Sequence, residues 1–358
     1  MLYTYQYIHK HKIHELNKHL LIFFRRIKNV KSSSKFVLET YFHKDFITVI
    51  EGTQLEVQFR TFFNTYKKLS ANNKNLFYNV IIDSQSIQYL FEDISIDCNR
   101  FSNTELEKII GHSSMLKNLM STLYKSMSAK NGHWKIYDHY SNIYNGRKSP
   151  KVCPFCGVEL LHSSFREDYD HLAPKGVYPL FSINMRNLAP MCTFCNEKCK
   201  GEKDVFYEDR NKTKRRRFAY PYNMMVEIAL DYSESILPET DYKYPEGYWK
   251  IKFNPDIDYV KTWLDIFQIE NRYVTDYIIP NYFEWLDQFI FTISDKELII
   301  NEKNLLRTEL SRYSNRLFKQ PFLDTNIIKA PLFKYFADCE NESFYTSLLR
   351  RIKTKISA

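Results

Sequence analysis

Four cysteines in two Cys-x-x-Cys pairs, Cys153 with Cys156 and Cys192 with Cys195, enclose an Asp170-His171 step and are followed at once by Asn196. Two such pairs have the spacing for one zinc ion held tetrahedrally by four thiolates at about 2.3 Å each. A four-thiolate zinc has no open coordination position, so its role is structural: it folds a segment too short to bury enough apolar surface by itself. The groups between the pairs offer a different chemistry. A histidine with a pKa near about 6.5 can take a proton from water at neutral pH, which makes His171 the base candidate. The carboxylate of Asp170 and the amide oxygen of Asn196 are hard donors of the kind that hold Mg²⁺, or Mn²⁺, in a second site. A base, a divalent ion and a structural zinc together make a set for metal-assisted phosphodiester hydrolysis.

The order of these residues, Cys153-Pro-Phe-Cys156-Gly157 and then the stretch from Asp168-Tyr-Asp170-His171 through Asn187-Leu-Ala-Pro-Met-Cys192-Thr-Phe-Cys195-Asn196, resembles the HNH endonuclease family in its ββα-metal, treble-clef form with a four-cysteine zinc. The resemblance runs from Lys151 to Lys203. It implies His171 as general base, Asp170 as first metal ligand, Asn187 as the asparagine that orients the base, and Asn196 at the final H position of the pattern. Asn in place of His there is a departure that bears on metal affinity and metal choice. The wording around Asp170 to Cys192 is similar to stand-alone HNH nucleases of bacterial anti-phage systems, which implies a nuclease effector acting beside a regulatory protein such as an ATPase.

Neighbouring residues have blander readings. Asp168 shares a strand face with Asp170 and could assist it, though a solvated carboxylate is the commoner case. Asn184 competes with Asn187, but only Asn187 stands in the Asn-Leu-x-Pro-x-Cys frame. Lys175 could touch phosphate or simply be solvated. Cys199, four after Cys195, could stand in for a zinc ligand, though an ordinary helix thiol is the commoner case. No role is assigned to His162.

The elements around this centre are mainly helical in pattern. Ile13, Leu16, Leu20 and Phe24 fall on one helix face, and Leu116, Leu119, Leu123 and Met127 form a second stripe, within a helical reading of 103–128 capped by Asn103 or Thr104. Residues 36–49 and 76–91 mix β-branched and aromatic types and fit either helix or strand. Trp249, Ile251 and Phe253 alternate with lysines as a half-buried strand does. From Val260 the pattern is helical again, with breaks expected near Pro280, Pro321 and Pro331. Loops are expected at Asn131-Gly132 and Asn145-Gly146, and a connector over 237–247. The fold class expected is therefore α+β, mostly helical: a zinc-stapled HNH module over 146–225, flanked by helical domains over 1–145 and 226–358.

With 358 residues, the chain exceeds one such module and has room for two or three cores. The net charge of +9 suits a polyanionic partner, nucleic acid and DNA before RNA, although a Lys-, Asn- and Ile-rich composition of the kind an AT-rich genome produces would give the same excess. The run Lys212-Thr-Lys214-Arg215-Arg216-Arg217 could follow a duplex backbone or be a solvated loop. No secretory leader or membrane-length apolar run is visible. Paired cysteines in a reducing cytoplasm then read as metal ligands. A rival function remains: a non-catalytic zinc module that binds nucleic acid or protein. Such a module needs none of Asp170, His171, Asn187 and Asn196, and all four are present.

Overall fold

The computed structural model describes residues 2–128, 133–146, 151–162, 169–238, 248–293 and 303–357. Asp168, the Asn131-Gly132 loop, Arg147 to Pro150 and the connector residues 239–247 lie outside them. Helix makes up 57% of the described residues, and the strands among them form two small antiparallel pairs, so the class is mostly helical α+β. No helix among them is long and apolar enough to cross a membrane.

The chain divides into two compact units. One holds Tyr3–Lys151 and Leu161–Met225, and the other Val152–Leu160 and Val226–Ala358. Residues 3–145 and the larger part of the expected 146–225 module fall in the first unit. Hydrogen bonds within that unit show why: the Tyr5 hydroxyl donates to the carbonyl of Pro190 at 2.7 Å, and Arg215 donates to the carbonyls of Leu90 and Phe206, each at 2.8 Å.

In the first unit, His14–Ile27 is the expected amphipathic helix and buries Leu16, Leu20, Phe23, Phe24 and Ile27. The two ambiguous segments are helices, Leu38–Tyr41 with Lys44–Ile50, and Ala71–Asp83 with Ile87–Glu92. Polar caps cut this region into short pieces: Thr53 accepts from the Leu55 amide, and Ser70 from the Asn73 amide. The aromatic side chains that made the pattern ambiguous fill a common core, with Phe23 stacked on Phe42 at 5.2 Å and Phe59 against both. The helical stretch over 103–128 is two helices, Asn103–Ile110 and Met115–Ser128. Gly111 ends the first in the left-handed region at φ 69°, and the cap is Ser102, one residue earlier than expected.

The basic run is built into this unit. Arg215 bonds carbonyls, Arg216 donates to the carbonyls of Tyr207 and Glu208, Lys214 pairs with Glu208 at 2.5 Å, and Lys212 lies over the ring of Tyr178. Much of its hydrogen-bonding capacity is therefore used internally.

The second unit pairs β3 (Ala229–Asp231) with β4 (Lys252–Asn254), Leu230 facing Phe253 across the register. Trp249, Ile251 and Phe253 are buried, as their alternation predicts. Helices follow at Asp258–Phe267, Ile279–Phe291, Lys303–Phe318, Asn326–Asp338 and Glu342–Ser357. Pro280 sits in the first turn of its helix and Pro321 follows one, but Pro331 lies inside Asn326–Asp338 rather than ending it. Contacts on either side of the proline anchor that helix: Phe333 meets Tyr313 at 4.8 Å, and Ser314 donates to the carbonyl of Ala330.

Candidate metal centre and catalytic cavity

Cys153, Cys156, Cys192 and Cys195 are all buried, and their sulfur atoms lie within 4.8 Å of one another. Four thiolates around one zinc at about 2.3 Å stand that close, so the donor set fits a closed structural site. No disulfide links them. Each knuckle is shaped locally. In the first, the Cys153 amide donates to the carbonyl of Glu159 and the Gly157 amide to the carbonyl of Cys153. Gly157 adopts φ +74°, and a Cβ there would come within 2.6 Å of Leu2 Cδ1 and 2.9 Å of Ile327 Cδ1, so the turn requires glycine. Trp263 and Tyr273 cap the knuckle's carbonyls, donating to Phe155 and Cys156 at 2.6 Å each. In the second knuckle the Cys195 amide approaches Cys192 Sγ at 3.4 Å, a contact that favours a charged sulfur. Cys199 is buried outside the cluster.

The residues between the knuckles form a strand pair and a helical turn. β1 (Tyr169–His171) pairs antiparallel with β2 (Leu188–Pro190), His171 facing Leu188. The chain then turns through the second knuckle into Phe194–Lys200, a widened π-type turn in which the Gly201 amide reaches the carbonyl of Asn196. A polar cavity of about 250 Å³ opens between these pieces, lined by Asp170, His171, Asn196, Lys200, Lys175 and Tyr124 among others. Three of the four sequence-predicted site residues thus share one wall.

His171 is buried to 5% exposure, and its Nε2 lies 2.9 Å from the carbonyl of Ser182. Donation from Nε2 to that carbonyl leaves the lone pair on Nδ1. Burial pushes its pKa down to about 3, against the pull of the Ser182 carbonyl, and Lys175 and Lys200 push the same way. The imidazole is therefore neutral at physiological pH. The ring of Tyr124 stands 4.6 Å from it, and Lys175 Nζ lies 4.2 Å from the same tyrosine ring.

The fourth residue, Asn187, does not line the cavity. It is fully buried and grips backbone: its Oδ1 accepts from the Ala173 amide at 2.8 Å, and its Nδ2 donates to the carbonyls of Ala173 and Phe181 at 3.0 and 3.3 Å. Those bonds fix the turn after His171 and the residue before Ser182. Asn184, its competitor, caps locally by accepting from the Arg186 amide. Exposed Lys175 stands at the cavity edge.

Lys200 is the residue that the sequence reading passed over. It is 1% exposed, and its Nζ lies 2.9 Å from Oδ2 of Asp170. Its position four after Asn196, one helical turn away, was a usable signal. Tyr124 and the Ser182 carbonyl had none, since only the tertiary path brings them in. Comparison with family models, with curated proteins and with solved structures finds no match for the chain.

Proposed function

We propose that this chain is a divalent-metal-dependent endonuclease of the HNH type, hydrolysing phosphodiester bonds in DNA, with RNA as a further substrate. The observation that carries the reading is the convergence of Asp170, His171 and Asn196 on one polar cavity beside the four-cysteine cluster. The strand, strand, helix order around that cavity supports the same reading.

His171 supplies the base. Its Nε2 is occupied by the Ser182 carbonyl, so Nδ1 is the nitrogen left to receive the proton of the attacking water. Asn187 holds both the Ala173 turn and the Phe181 carbonyl next to Ser182, so it positions the base through backbone. Asp170 and Asn196 offer a carboxylate and an amide oxygen, a donor set that suits Mg²⁺ or Mn²⁺ completed by water and phosphate oxygens. Such an ion, when bound, polarises the phosphate and stabilises the leaving alkoxide. Lys175, exposed at the cavity edge, would contact a phosphate there. The zinc keeps its structural role. An anti-phage setting and an ATPase partner rest on the wording of the motif.

Plasmid cleavage by the zinc-loaded protein in Mg²⁺ or Mn²⁺, compared with a chelator control, tests the reading. Divalent-dependent nicking or linearisation that is lost in His171→Ala supports it. Equal cleavage by that variant would move the chemistry away from this cavity and leave the zinc module itself without a catalytic part.

A further inference from the structure

Lys200 carries nothing in the reading above, yet it is the most deeply buried cation on the cavity wall. Its Nζ stands 2.9 Å from Asp170 Oδ2 and 3.4 Å from the carbonyl of Gly201, and the Asp170 side chain is itself only 12% exposed. A charge that deep is costly unless an opposite charge compensates it, so the pair is held together in the resting protein. Asp170 is also the only carboxylate among the donors proposed for the divalent ion. An ammonium and a divalent cation on one poorly solvated carboxylate repel strongly. An ion therefore reaches Asp170 cheaply only if Lys200 leaves.

The means of leaving are in the side chain. Lysine is a compact charge on a flexible four-carbon stem, and it exchanges a carboxylate for a phosphate without a fixed geometry. The cavity gives that stem room, and a phosphodiester entering it would offer the ammonium an alternative anion.

We propose that Lys200 is a positioning residue that latches Asp170 against the divalent ion until a nucleic-acid phosphate draws the ammonium away, so that metal and nucleic acid bind with positive coupling. The identity of the phosphate ligand rests on the nuclease reading; the Lys200–Asp170 pair does not. Coupling of this kind is reciprocal: whatever factor the nucleic acid adds to metal affinity, the metal adds to nucleic-acid affinity.

The test is Mn²⁺ binding to the full-length, zinc-loaded protein, followed by electron paramagnetic resonance of free Mn²⁺ and by calorimetry, with no turnover required. In the wild type, a short DNA duplex held at saturating concentration should tighten Mn²⁺ binding by at least about tenfold, within the usual range of such couplings. Without DNA, Lys200→Met and Lys200→Gln should each bind Mn²⁺ about tenfold tighter than the wild type, and the duplex should then add little. Lys200→Gln can still hydrogen-bond Asp170 and covers the case in which the methionine variant loses its fold, judged by zinc content. Asp170→Asn in either background should remove the gain. Mn²⁺ affinity that is the same with and without duplex in the wild type, or no Mn²⁺ binding at all, overturns the latch. A protein that cuts plasmid yet shows no coupling keeps the nuclease reading and loses the latch. One whose variants gain Mn²⁺ while no nucleic acid is cut keeps the latch and loses the nuclease reading.

Discussion

The side chain of Asn187 closes a two-way clamp on Ala173, accepting from its amide at 2.8 Å and donating to its carbonyl at 3.0 Å, in a place with no solvent exposure. This pairing is the sheet-like signature of a backbone, supplied by a side chain. It holds the two residues after His171 in register with β2, where the Leu172 amide also reaches the Asn187 carbonyl. Replacement by alanine would leave a buried amide and two buried carbonyls without this partner, each worth about 1–3 kcal/mol when unsatisfied. Asn187→Ala should therefore lower stability by a few kcal/mol in urea unfolding. At temperatures where it stays folded, it should lose less cleavage rate than His171→Ala. A variant of wild-type stability would show the clamp to be dispensable.

Zinc content is a separate expectation. The purified protein should carry one zinc per chain, on Cys153, Cys156, Cys192 and Cys195. Cys153→Ser should lose it and expose the remaining thiols to a colorimetric reagent, since thiolate–zinc binding is folding free energy in a small module. Cys199→Ser, one turn past Cys195 but outside the cluster, should keep the full equivalent. Less than about half an equivalent in a zinc-replete preparation counts against the four-cysteine assignment.

The cysteine cluster was legible because metal-ligand spacing is a local property: two residues between thiols make a knuckle whatever surrounds them. Helix positions with a clean 3.6-residue stripe, such as Leu16, Leu20 and Phe24, were legible for the same reason. What was not legible depends on the tertiary path. Residues 36–49 became helices because Phe42 and Phe46 had an aromatic core to enter, and propensity could not decide that. The basic run near Arg215 reads as a phosphate-binding stripe until its guanidinium is seen donating to Leu90 and Phe206 carbonyls. Lys200 stands one helical turn after Asn196, but a lysine in a charged stretch reads as solvated, and only the tertiary path folds Asp170 back onto it.

Stability should fall on acidification, and His139 is a main cause. It is fully buried, with the Tyr169 hydroxyl 2.7 Å from Nδ1 and the rings of Tyr7, His11 and His14 at 6.5, 5.1 and 5.3 Å. Burial, then the two neighbouring histidines, push its pKa from 6.5 down to about 3. The unfolded chain binds this proton below about pH 6.5 while the folded chain refuses it until about pH 3. The stabilising contribution is thus complete above that upper limit and is lost progressively through the window. His11 and His14 are lowered also, by burial first, with Asp138 opposing at His11, and add to the same slope. His139→Gln should flatten the dependence of unfolding free energy on pH between about 6 and 4, by up to about 1.4 kcal/mol per pH unit. An unchanged slope in that variant would assign the acid sensitivity elsewhere.

His171 gives the sharpest test of the chemistry. Its imidazole is the only one on the cavity wall among the described residues, and the Ser182 carbonyl fixes which nitrogen accepts the proton. Removing a positioned general base costs roughly a hundred- to ten-thousandfold in rate. His171→Ala should therefore abolish measurable divalent-dependent cleavage while one zinc stays bound and duplex affinity holds. Because the substitution also strips the Ser182 carbonyl of its donor, the variant's unfolding curve has to be read beside its rate. A loss of about 1–3 kcal/mol is the expected cost of that orphaned acceptor and leaves most molecules folded. Asp170→Ala and Asn196→Ala should differ in kind, each raising the Mg²⁺ or Mn²⁺ concentration needed for half-maximal cleavage, since each removes a proposed ion ligand. If all three variants lost activity in the same way and excess Mn²⁺ rescued neither of the ligand variants, the division of labour between base and ion would be wrong. If His171→Ala cut plasmid like the wild type, the cavity would not be the place of hydrolysis.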